Sequence, residues 1–579
     1  MDVMVKLPSL MLLLIIGVVS CAPVGTDPKS SGTRSVGPEA APSRTLVLIG
    51  RQEPNQLSAT RLLATGIGVA GVLRPFNAAL AMLNPDAQAL PELADELPKL
   101  NTDTWRVFPD GRMETTYRLR PNLTWHDGAP LTPADFMFAW QVYTTPDFGT
   151  ANSPPHRLVD DVIEVDGRTL VIRWRGPFPG AGALVGLGGA GSSPAFAPLP
   201  RHLLQDAHKQ GDALAFVQHP FWTVEYVGAG PYKLDRWEPG SFIEGVAFDG
   251  HALGKPRISR IRIIFNSDAN AALAQLLSQE AHMTLDDSIG IDHAVTLKRD
   301  WDARGGGTVL YPGAQGRYIR VQLRPEYARP QALLDPAVRK ALAHTIDKQA
   351  MNESIFYGAA LLTDTMVPPS TQRRLRLETD IPTYPHDVRR AEQLMDAAGY
   401  TKDRDGFYVG LAEGRLNFEV KNIAQPRNDA ERAILANGWR QFGFEVEEAA
   451  YRPSDARDGQ ALSTFRSLGP TGGIASDDRL LAFITTNIGS AGNNWVGNNT
   501  TGWSNAQFDR LMDLWIATLD DTARAQQFAQ AARILNEELA AIPLYYAPQA
   551  FAFASSVRGV DATATEYIDW NMHQWELTN

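Results

Sequence analysis

The 579-residue chain holds a single cysteine, Cys21, so no internal disulfide can staple any part of its fold. Everything that folds must therefore be held by buried apolar surface and hydrogen bonds. The position of that cysteine is equally constraining. It ends the apolar run Leu10-Met11-Leu12-Leu13-Leu14-Ile15-Ile16-Gly17-Val18-Val19-Ser20, which Lys6 precedes. The run is shorter than the roughly 20 residues that a transmembrane helix needs. A positive residue, a short apolar core, then Val18-Val19-Ser20-Cys21 reads as a signal peptide of the lipoprotein kind. On this reading residues 1–21 are the signal segment. Cleavage precedes Cys21, a lipid joins its sulfur, and the mature chain lies outside the cytoplasm.

Residues 22–44 are rich in Pro, Gly, Ser and Thr without apolar periodicity, so they are expected to act as a flexible tether. A coil of that length spans on the order of 25 Å, enough to stand a folded body off a bilayer. Over the whole chain, 44% hydrophobic and 21% charged residues suit a water-soluble globular body. The net charge of -11 argues against a nucleic-acid partner, because phosphate recognition needs a basic face.

Thr45-Leu46-Val47-Leu48-Ile49-Gly50 predicts a buried strand, and Glu114 to Arg120 alternates as a half-exposed one. Val162 to Val165, Asp166-Gly167 and Leu170 to Trp174 predict a hairpin whose tight turn uses a positive φ. Thr132-Pro133-Ala134-Asp135, Asp335-Pro336 and Asp387 each open a helix, and Gly399 closes the third. Asp520 to Ala541 predicts a long helix ended by Pro543. Strands and helices mix without a regular βαβ alternation, which points to a multi-lobed α/β protein with mixed sheets.

Catalytic signatures are thin. Gly66-Ile67-Gly68-Val69-Ala70-Gly71 matches a dinucleotide fingerprint in letters only, since no strand precedes it; small residues packing a helix or loop are the better reading. The 11 histidines form no metal-binding spacing, and no nucleophile elbow occurs, so no catalytic residue, metal or cofactor is assigned.

Four ordered blocks remain. The first is Pro91-Glu92-Leu93-Ala94 with Tyr117 to Asp135, and the second is Gly228-Ala229-Gly230-Pro231-Tyr232-Lys233-Leu234 with Trp237 and Gly240. The third is Asp335 to Lys348, followed by Gly358 and Ala397-Ala398-Gly399-Tyr400. The last is Trp503-Ser504-Asn505-Ala506-Gln507-Phe508-Asp509, followed by Ile542-Pro543-Leu544-Tyr545. From about Leu46 to the C-terminus the chain resembles the extracytoplasmic solute-binding proteins of ABC importers, in the large oligopeptide, dipeptide and nickel class (family 5).

The resemblance implies an α/β, two-lobed periplasmic-binding-protein-like fold (type II, cluster C) with mixed sheets and an extra subdomain. The expected division puts 45–79, 220–318 and 541–579 in lobe I, 80–219 in the extra subdomain and 319–540 in lobe II. It implies a receptor, not an enzyme, that closes by hinge motion on a peptide or peptide-like solute and hands it to importer permease subunits. Non-peptide cargo (an opine, an oligosaccharide, a nickel chelate), a sensor role, and a lipid-anchored hydrolase are the alternatives.

In the peptide-binding branch a Gly-Trp-x-x-Asp segment supplies an acid to the ligand amine. Here the matching stretch is Gly472-Gly473-Ile474-Ala475-Ser476-Asp477-Asp478, which lacks the tryptophan and displaces the acid. Either Asp477 or Asp478 meets such an amine, or neither does. Asn494 and Trp495, within the amide-rich Asn493 to Asn499, are candidates for stacking and polar contact. Arg51, Gln52 and Glu53 follow the first strand and are candidates by position.

Overall fold

The computed structural model describes residues 45–578 apart from 61, 63–69, 87, 149–154, 187–195, 286–287, 370, 372–380, 453–454, 456–457 and 562–567. Cys21, the tether and most of the glycine-rich segment at 66–71 lie outside the described residues. Two sheets organise the rest. The first has seven strands in the order Gly307–Leu310, Phe551–Ala554, Met283–Thr284, Thr45–Gly50, Arg260–Phe265, Phe242–Ala247, Tyr232–Glu238. The second has six, in the order Leu361–Leu362, Ala541–Pro548, Gly313–Val321, Leu468–Ile474, Asn417–Ile423, Glu445–Tyr451.

Two neighbouring strand pairs join these sheets. Gly307–Leu310 continues through Tyr311-Pro312 into Gly313–Val321, and Ala541–Pro548 continues through Gln549-Ala550 into Phe551–Ala554. Each pair is antiparallel on both sides of the crossing. Between the sheets the Gln549 amide donates to the Pro312 carbonyl at 2.9 Å. The chain thus passes from one sheet to the other as a two-stranded strap. The crossing lies at 311–312 and 549–550. The reason is pairing: Gly313–Val321 binds Leu468–Ile474 over its length, which fixes it in the second sheet.

A third sheet takes the order Ala94–Glu96, Met113–Leu119, Thr169–Trp174, Val159–Asp166, with Trp105–Val107 paired to Met113–Leu119. The expected hairpin is present, yet neither Asp166 nor Gly167 adopts a positive φ. The Asp166 carboxylate instead takes the turn amides of Arg168 and Thr169, each at 2.9 Å, so its side chain replaces the left-handed backbone.

Helix starts follow their caps. Helix Pro133–Tyr143 begins with the Thr132 amide donating to the Asp135 carboxylate at 2.9 Å, and helix Pro336–His344 with Asp335 accepting from the Ala337 amide at 2.8 Å. Asp387 caps Val388–Ala397, and Gly399 follows at φ 84°. The long helix stops earlier than expected. It runs Asp521–Glu538, Leu539 turns left-handed at φ 47°, and Pro543 lies inside strand Ala541–Pro548. The proline is tolerated because the pairing with Gly313–Val321 shifts register between Arg317 and Tyr318, beside it.

One apolar core joins the first and third sheets, through Leu46, Leu48, Ile261, Phe76, Trp125 and Tyr117. That core also encloses charge. Arg74 pairs with the buried Glu92 at 2.9 Å, and His126, His251 and His573 are all buried nearby. The second sheet carries a core on each face, one around Trp439 and Phe418 and the other around Phe528 and Trp503. Among the described residues no helix is long and apolar enough to cross a membrane.

Candidate functional site

Strand direction locates the site. Thr45–Gly50 runs parallel to Met283–Thr284, and Thr284 exchanges bonds with Ala552, two residues past the crossing. The first strand therefore ends at the crossing. In the second sheet Leu468–Ile474 runs antiparallel to Gly313–Val321, with Ile474 opposite Gln315, so it too ends there. Segments leaving these two strands, from Arg51 onward and from Ala475 onward, emerge from the carboxyl ends that meet at the strap. In open α/β sheets that is where ligands bind.

The candidates divide on this frame. Arg51 and Gln52 are exposed just beyond the first strand. Glu53 is committed to structure: its carboxylate takes the Trp237 indole N–H at 2.5 Å and the Gly240 amide at 2.8 Å, tying the strand exit to the neighbouring hairpin. Asp477 and Asp478 lie beyond Ile474, both half-buried. Asp477 accepts from the Thr371 hydroxyl, and Asp478 from the Ser476 hydroxyl at 2.5 Å.

Asn494 and Trp495 do not join them. Their loop is held by Arg324, whose guanidinium donates to the carbonyls of Gly489 at 3.0 Å and Thr500 at 2.9 Å. Arg324 follows Val321, which pairs with Leu468 at the end of the sheet remote from the strap. Six residues separate Val321 from Gln315 on that strand, about 20 Å at strand rise. Asn494 and Trp495 both take left-handed backbone, φ 54° and 60°, and the Trp495 amide closes the turn onto the Ser490 carbonyl at 2.8 Å. The amides there serve the loop itself; Asn499, for example, donates to the carbonyls of Phe483 and Trp503, both at 2.9 Å.

At the strap end the second sheet holds a buried cation on one face and a half-buried one on the other, both missed by the motif reading. On one face Arg317 forms a buried ion pair with Glu431 and donates to Asn428 at 2.9 Å, and the Tyr545 hydroxyl also donates to Glu431. On the other, Arg479 stacks on the Tyr318 ring, its central carbon 5.3 Å from the centroid, and donates to the Tyr318 hydroxyl. A small cavity of about 10 Å3 opens there, bordered by Arg479, Ser476, Gly473, Thr365 and Tyr546. A Cβ on Gly473 would stand 2.6 Å from the Arg479 guanidinium carbon, so only glycine lets the side chain lie flat on the strand. The Gly472-Gly473 pair inside a strand was the available sequence signal. Among the described residues no group of three or more His, Cys, Asp or Glu side chains is arranged to hold a metal ion.

The family model for bacterial extracellular solute-binding proteins, family 5 (middle), matches residues 97–490. The chain belongs to this family. Family 5 members are solute-binding proteins, which agrees with the expected receptor. Among curated relatives, the chain is 22% identical over 465 residues to the dipeptide-binding protein of Escherichia coli K12, covering 76% of this chain and 79% of that one. It is 25% identical over 466 residues to the glutathione-binding protein GsiB of Salmonella typhimurium, covering 79% and 81%. Among solved structures, NikA from Brucella suis in complex with Fe(III)-EDTA superposes with a TM-score of 0.71 at 17% identity, covering 92% of this chain and 100% of that one. The fold is thus the two-lobed periplasmic-binding-protein fold with mixed sheets, as expected.

Proposed function

We propose that this family 5 protein is an extracytoplasmic receptor that binds a peptide or peptide-like solute between its lobes and delivers it to the permease subunits of an ABC importer. The observation that carries this reading is the strap. Two sheets, each with strand ends meeting at one two-stranded crossing, can rotate about that crossing and close on a solute touched from both sides. Closure is favoured only by contacts made from both lobes at once, which gives the membrane subunits a liganded form to recognise. The peptide class rests on the dipeptide- and glutathione-binding relatives, both matched over more than three quarters of this chain.

The same proposal includes an anchor. A lipid on Cys21 would hold the receptor at the membrane and raise its effective concentration at the importer. Replacing Cys21 by Ser is expected to move the protein from the membrane to the soluble fraction, and retention at the membrane refutes the anchor. The receptor reading is tested by thermal shift of the purified chain against di- to pentapeptides, glutathione, opines, oligosaccharides and nickel chelates. A rise in melting temperature with peptides and no chemical turnover is expected. Conversion of any of these compounds, without a shift, overturns it.

A further inference from the structure

Resting on that reading, we infer that the second-sheet side of the cleft reads a negatively charged group of the solute, a carboxylate, through Arg479, and not an amine through Asp477 or Asp478. The two acids are the obvious amine partners, but each already accepts from a hydroxyl, Asp477 from Thr371 and Asp478 from Ser476. Arg479 has no such commitment. Among the described residues no carboxylate lies within ion-pair distance of it, and its Nε is buried without an acceptor. Its hydrogen bond to the Tyr318 hydroxyl leaves the Nε N–H unfilled among the described residues. A buried donor on a cation is costly while it stays unmatched, so an arriving acceptor recovers that cost.

The surroundings select the sign of that acceptor. Among the described residues, the cavity beside Arg479 is bordered by the hydroxyl-bearing Ser476, Thr363 and Thr365 and by no acidic side chain. The other arginine bordering it, Arg317, is neutralised by Glu431 on the opposite face of the sheet. A cation that no described carboxylate compensates favours an anion in this recess and repels an amine. The guanidinium is also held in place, flat on Gly473 and stacked on Tyr318, so it loses little freedom on binding. The recess is on the order of one water in volume, so it admits an oxygen-bearing end group and not the body of the solute.

The test uses the purified full chain and two matched mixtures: short peptides with free C-terminal carboxylates, and the same peptides as C-terminal amides. Titration calorimetry should show the acids binding at least tenfold more tightly than the amides. In Arg479→Gln that preference should collapse to within about threefold, while Arg479→Lys, which keeps the charge but not the planar fork, should retain part of it. Equal binding of acids and amides by the parent chain overturns the carboxylate assignment and leaves the receptor reading standing. An equal loss for both mixtures in Arg479→Gln assigns Arg479 a purely structural role and overturns it as well. Binding of neither mixture removes the peptide reading itself, and this inference with it.

Discussion

Replacing His251 by Phe should remove a defined part of the protein's acid sensitivity. His251 is 5% exposed, and its ring nitrogens make no well-aligned hydrogen bond among the described residues. Burial, with Arg74, His573 and His126 close by, lowers its pKa from 6.5 to about 3. A histidine lowered in the folded state stays neutral while the unfolded chain takes up a proton. Between about pH 6.5 and pH 3 the unfolded state therefore binds more protons, and stability falls as pH falls. From pH 8 to pH 5 the loss from this one residue is about 2 kcal/mol. Glu92 and Asp569 oppose it: burial raises both carboxyls, which favours the folded state as pH falls. The raw slope of the parent chain mixes these signs, so the informative quantity is the difference between variant and parent. Phenylalanine keeps the ring and cannot titrate. Guanidinium unfolding at pH 8 and pH 5 should give His251→Phe a loss smaller than the parent's by about 2 kcal/mol. The same loss in both proteins would show that His251 titrates normally, and the argument from its burial would fail.

Two further outcomes test other parts of the structure. Glu431→Gln leaves Arg317 charged and buried without its partner, so unfolding stability should fall by about 3–5 kcal/mol, read by urea denaturation; Arg533→Ala, which breaks an exposed i,i+4 contact, should cost under about 1 kcal/mol. Asn494→Ala alters an exposed residue remote from the strap, so the Kd for whichever solute the thermal-shift panel identifies should stay within twofold; a tenfold loss would place that loop in the cleft.

How much of this could be read from the chain depended on whether the signal was local. The strand at Thr45–Gly50 and the caps at Thr132, Asp335 and Asp387 are local signals, and each element begins where its cap stands. The third-sheet hairpin was legible too, but not its turn, because Asp166 had two ways to close it and side-chain capping won. Pro543 misled for a related reason. Proline stops a helix in isolation, whereas here the helix had already ended at Leu539 and a register shift made room for the ring in a strand. The site was legible in part. Asp477 and Asp478 could be placed from the glycine pair before them, but the long-range register that carries Asn494 and Trp495 to the far end of the sheet leaves no trace in nearby residues. Arg479 stood one position past the quoted motif, and its significance depends on Tyr318, some 160 residues earlier.

The strap also sets an order of assembly. Strand Phe551–Ala554 sits between Gly307–Leu310 and Met283–Thr284, so the first sheet is not continuous until the last 30 or so residues of the chain arrive. Until then Gly307–Leu310 has no neighbour to pair with, and the Met283–Thr284 edge stands open. The second sheet waits likewise for Ala541–Pro548, which is buried almost throughout. A chain emerging N-terminus first therefore cannot finish either lobe alone. Both are completed together by one returning segment, and a protein cut short before Ala541 would present two open sheets rather than one finished lobe.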